Sequence, residues 1–154
     1  MEDRHVEIVE RGLELHEAHN YEAALTVFEA ARLFSPHCPV VTYNIANTLH
    51  MLDRDAESSA LLRSILDAPD PQLIDQCSQA SPRSLRLDAL YLMFLSTLHA
   101  SKSWRVAVPY LRKHLASRSR GLSSVFSKAR VVREAEGLRQ SFAPRSKPVL
   151  QRST

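Results

Sequence analysis

Glycine, cysteine and tryptophan are scarce: three, two and one among 154 residues. So little glycine leaves no Gly-rich phosphate loop and fits a helix-rich chain better than a strand-rich or disordered one. Gly121-Leu-Ser-Ser lacks the second glycine of a nucleophile elbow, and no His-Glu-x-x-His is present. Acid pairs such as Asp53 and Asp55 fall in an expected turn, where exposed carboxylates behave ordinarily. The sequence therefore offers no basis for an enzyme, and no catalytic residue or cofactor is expected. Cys38 and Cys77 lack metal-ligand spacing and read as reduced thiols of a cytoplasmic protein. No apolar run approaches the roughly 20 residues of a membrane helix. The acidic start, Met-Glu-Asp-Arg-His, leads straight into a helical pattern, so no targeting segment is expected.

What is present is apolar content of 44% and a charge split hidden by a net charge of +3. Residues 1–101 carry seven Lys/Arg against 15 Asp/Glu, or −8; residues 102–154 carry 13 against two, or +11. One domain of this length buries a continuous core. The acidic body and basic end predict different partners, and a head-to-tail contact between two copies is one outcome. Nucleic acid is an alternative partner for the basic end. It is disfavoured because Tyr110 and Phe126 are the few aromatics interleaved with its arginines.

Periodicity predicts seven helices. The first runs over 3–18 on Val6, Ile8, Val9, Leu13 and Leu15, and the second over 21–34 with Asn20 as N-cap. Pro36 and Pro39 mark the turn before a third helix over 40–52, followed by a fourth over 55–66. Ser81-Pro82 starts a fifth over 83–100. A sixth covers 103–116, with a kink expected at Pro109. Ser123 or Ser124 caps a seventh, ending near Gln140, whose stripe is Leu122, Val125, Phe126, Ala129, Val132 and Leu138. Residues 142–154 read as a disordered basic tail.

Within this series Gly12, Tyr21, Ala24, Phe28, Ala31 and Pro36 form a motif. Small residues at Gly12 and Ala24 suit a close helix crossing, and Phe28 a wedge toward the next pair. Adding 34 maps Gly12 to Ala46, Ala24 to Ser58, Phe28 to Leu62 and Tyr21 to Asp55. Adding 83 maps Tyr21, Ala24 and Phe28 to Trp104, Ala107 and Leu111, which places a 15-residue insertion at 73–87. Leu95 then occupies the slot of Gly12, so the fifth helix packs farther from the sixth or the small contact moves to Ser96. The chain resembles the tetratricopeptide-repeat family, with repeats over about 5–38, 39–72 and 88–121 and a capping helix over 122–141. The resemblance implies an all-α, right-handed superhelical solenoid of about seven antiparallel helices. Its implied work is that of a protein-binding adaptor or scaffold.

In this family the first helices of successive repeats line a concave groove for a peptide or helix. Carried over, its residues are Val9, Leu13 and His16; Tyr43, Asn44, Asn47 and His50; and Leu92, Ser96 and His99, with Met51 and Ala100 beside them. The carboxylate-clamp positions of the co-chaperone subfamily hold Val9, Leu13, Asn44, Ala89 and Met93. Without cations there, a bound carboxylate loses its charge-assisted hydrogen bonds, so that reading is rejected. Three-repeat chaperones of bacterial type III secretion match in length and repeat number and stand as an alternative. His16, His50 and His99 recur at one repeat position, either as a ladder of titratable imidazoles or as shared ancestry at a half-exposed site. First helices roughly 8–10 Å apart argue against a shared zinc ion, so no metal is expected.

Overall fold

The computed structural model describes residues 2–74, 81–118, 122 and 124–142. Cys77, Gly121, Ser123 and the tail from 143 onward lie outside the described residues. The chain is all-α: α1 (Glu2–Glu17), α2 (Tyr21–Phe34), α3 (Pro39–Met51), α4 (Asp55–Asp67), α5 (Pro82–Ser101), α6 (Trp104–Arg118) and α7 (Lys128–Phe142). A short 3-10 turn, Asp70–Leu73, leads into the expected insertion region. Among the described residues there is no strand, and no helix is long and apolar enough to cross a membrane.

Consecutive helices pack on one another, because each apolar cluster is shared by neighbours in the chain. Val9 of α1 meets Ala24, Leu25, Phe28 and Ala31 of α2 and Val41, Ile45 and Leu49 of α3. A second cluster joins Tyr43 and Ala46 of α3, Leu62 and Ile65 of α4, and Leu85, Ala89, Leu92 and Met93 of α5. A third joins Tyr91, Phe94 and Leu98 of α5, Ala107 and Leu111 of α6, Phe126, and Val131 and Ala135 of α7. Helix α5 belongs to both later clusters. Its residues from Leu87 to Phe94 are buried except at Leu90, so nearly every side of this helix is covered.

The backbone repeats itself at the spacing of the sequence motif. His19, Asp53 and Lys102 have φ of 59°, 58° and 55°, and they are 34 and then 49 residues apart. Each follows a first helix of a pair, and the same turn bonds recur: His19 N–H to the His16 carbonyl and Asp53 N–H to the His50 carbonyl, at 3.0 and 3.1 Å. None of the three is glycine, the residue this region favours most, but histidine and aspartate enter it more readily than most others, which leaves Lys102 the least expected of them. The packing of each hairpin holds them there.

Local details depart from the expectations in several places. Gly12 makes room for a ring: a Cβ there would lie 2.5 Å from Phe28 Cε1. Phe28 therefore wedges within the first pair as well as reaching the second. Ser58 donates to the Ala46 carbonyl at 2.7 Å and pairs with Ser96 Oγ at 3.0 Å. Ser96 thus faces α4, not α6. Asn20 makes no side-chain cap, whereas Ser81 Oγ accepts the Ser84 amide at 3.1 Å. Helix α6 continues through Pro109, whose ring is exposed.

Helix α7 begins later than its apolar pattern suggests. Ser127 Oγ, not Ser124, accepts the Arg130 amide at 3.2 Å, and the other expected cap, Ser123, lies outside the described residues. The buried stripe is Val131 and Ala135 with Leu138 and Phe142, while Val125 and Val132 are 72% and 51% exposed and Ala129 also faces outward. Phe142, assigned to the tail on composition, closes the helix. Ser124 is held elsewhere: it donates to Asp88 Oδ1 at 2.5 Å, and the Val125 amide reaches the same oxygen at 3.2 Å. Phe126 lies on Tyr91 at the middle of α5 and Phe142 on His99 near its end, so α7 points the same way along the chain as α5.

Candidate functional site

The ten groove residues divide into two sets. Val9, Tyr43, Asn44, Leu92 and Ser96 are buried, stitching helices together rather than facing a ligand. Leu92, for example, is 1% exposed. The cause is the close approach of α3, α4 and α5, which folds Tyr43 and Leu92 into the second cluster. Leu13 is 40% exposed, and His16, Asn47, His50 and His99 are half-buried. Met51 is exposed beside them. The accessible surface therefore follows the C-terminal ends of α1, α3 and α5.

Along this edge the side chains touch from helix to helix. His16 Nε2 lies 3.4 Å from Asn47 Nδ2, and the His16 ring meets Tyr21 edge-on with centroids 5.1 Å apart. Next on α3, His50 Nδ1 is 2.6 Å from Asp55 Oδ1. The His50 and His99 rings are tilted at 42° with centroids 5.0 Å apart, and His99 stacks on Phe142 at 6.4 Å. The separation of first helices is thus bridged by the side chains themselves. Burial lowers the pKa of His16, and His19 lowers it further. Burial likewise lowers His99, with His50 adding to the effect.

Asp55, expected with Asp53 among the exposed carboxylates of a turn, is instead inside the fold. It opens α4, is buried, and carries the position of Tyr21 in the first pair. Asp53 remains exposed in the turn as expected. The signal was the change from aromatic to acid five residues after a retained histidine: His16 with Tyr21, His50 with Asp55. At the other end of α5, Asp88, Ser124, Tyr91 and Glu134 form a second polar group, Tyr91 donating to Glu134 Oε2 at 2.7 Å. Burial raises the Asp88 pKa against the pull of Ser124 and Val125. The Asp88 carboxylate holds the chain before α7, which gives it a structural part.

A cleft of about 950 Å³ lies between the loops after α2 and α4, lined by residues including Pro36, His37, Cys38, Ser64, Pro71 and Ile74. Comparison of the chain with models of known families, with curated proteins and with solved structures finds no match.

Proposed function

We propose that the chain is a protein-interaction module of the tetratricopeptide type, an adaptor that holds a peptide or helix of another protein along the edge formed by α1, α3 and α5. The observation that carries this reading is the composition of that edge. Exposed Leu13 and Met51 flank a row of half-buried polar groups, His16, Asn47, His50 and His99. On α1, Leu13 and His16 are three residues apart; on α3, Asn47 and Met51 are four apart. Each pair therefore shares a helix face. Apolar anchors give affinity to an extended or helical ligand, and fixed amide and imidazole groups orient its backbone. Tyr43 and Leu92 take no part in contact, since both are interior.

The test is selection of binders from a displayed peptide library, followed by titration against the unmodified chain and the Leu13→Asp/Met51→Asp double variant. Both sites are exposed, so the variant folds and its circular dichroism is unchanged. The selected peptide is expected to bind the variant at least about tenfold more weakly, roughly 1.4 kcal/mol. Equal binding to both proteins would reject this edge as the groove.

A further inference from the structure

We propose that His50, Asp55 and His99 form a binding site for one divalent transition-metal ion, zinc being the ion this donor set suits best. One nitrogen from each imidazole and one carboxylate oxygen lie within 4.8 Å of one another. Two nitrogens and one oxygen are a zinc-type set, whereas calcium and magnesium take oxygen alone. Tetrahedral ligands at about 2.0–2.1 Å from zinc stand about 3.3 Å apart. The required shift is an outward turn of the His50–Asp55 contact and an inward turn of His99. Both are side-chain rotations.

The unmet bonding capacity of these groups points the same way. His50 is the hydrogen-bond partner the structure gives the buried Asp55 carboxylate. The two imidazoles face each other without a bond between them, and His99 has only ring contacts among the described residues. A carboxylate buried where the first pair carries the Tyr21 ring requires compensation, and a shared cation supplies it more fully than one imidazole does. Asp53 adds negative charge near His99, and Lys102 opposes it. The His50 and Asp55 side chains are only 10% and 8% exposed, so an ion held there would be largely shielded from solvent. The site lies at the edge assigned to peptide binding but does not depend on that assignment.

The experiment is calorimetric titration of the chelator-treated full chain with zinc chloride, alongside His99→Ala, Asp55→Asn and a His16→Ala control. One zinc per chain is expected, with a melting temperature that rises with zinc concentration. His99→Ala and Asp55→Asn should weaken binding by at least the roughly 10–100-fold that loss of an outer-shell partner costs. His16→Ala should leave it intact. X-ray absorption of the zinc-loaded unmodified chain should show nitrogen and oxygen neighbours with imidazole scattering, a readout free of any folding defect in the variants. No saturable binding, binding unaffected by His99→Ala, or sulfur in the first shell would each overturn the proposal. A peptide still captured in chelator would leave the groove standing whatever the metal result.

Discussion

Gly12 and Gly137 are both helical glycines, yet they predict opposite outcomes on substitution. A methyl at Gly12 would enter the Phe28 ring, and Phe28 is wholly buried with no room to turn away. Gly12→Ala should therefore destabilise the chain by about 1–3 kcal/mol, as overpacking does. A methyl added at Gly137 would meet nothing within 4 Å. Gly137→Ala should stabilise by about 0.5–1 kcal/mol, because glycine loses more backbone freedom in a helix. Urea unfolding of the two variants reads both signs, and two shifts in the same direction would contradict the packing at Gly12. The need for a small residue at Gly12 was legible in sequence; its partner was not, because spacing along one helix does not say which ring fills the space opposite. Asp55 shows the same limit. Its burial depends on the turn through Asp53, which folds the start of α4 back against His50.

Helix existence was legible throughout, because the apolar period and the proline punctuation agree. Boundaries at α2 and α4 follow directly from Tyr21 and Asp55. The seventh helix was harder, since two registers of its apolar residues look equally good until Phe126 is placed on Tyr91 ahead of the helix. Caps were also ambiguous: Asn20 and Ser81 are equally good candidates by residue type, but only Ser81 makes the side-chain bond. Ser81→Ala should cost about 1 kcal/mol, and Asn20→Ala should cost clearly less. Thermal melts of the two single variants decide this, and equal losses would count against the assignment. The proposed binding edge was half legible. Spacing along α1, α3 and α5 brings His16, Asn47, His50 and His99 to one edge, but it does not say how tightly the next helix closes over Tyr43 and Leu92.

For the whole molecule, three histidines set a pH dependence. His16, His99 and His114 all have pKa values lowered from 6.5, with burial the largest cause in each. His114 is fully buried, its Nδ1 donating to the Leu87 carbonyl at 2.7 Å. Below pH 6.5 the unfolded chain takes up protons that the folded chain refuses. Stability is therefore complete above that value and falls as pH drops toward the folded-state values. Chemical unfolding from about pH 7.5 down to about pH 5.5 should show the decline, and His114→Gln should make it shallower. A flat profile would show that these rings protonate freely in the fold.

The shared geometry of the turns has an electrostatic consequence. Contacts from His16 to Asn47, from His50 to His99 and from His99 to Phe142 place the C-terminal ends of α1, α3, α5 and α7 side by side. A helix carries a partial charge of roughly −0.5 at its C-terminal end and roughly +0.5 at its N-terminal end. The starts of α2, α4 and α6 lie in the same rim, at Tyr21, Asp55 and Trp104, so the opposed ends largely cancel and the sign of the rim is left to its side chains. What a cation meets at this rim is therefore set by Asp53, Asp55 and Lys102, and exchanging any one of them changes the local charge.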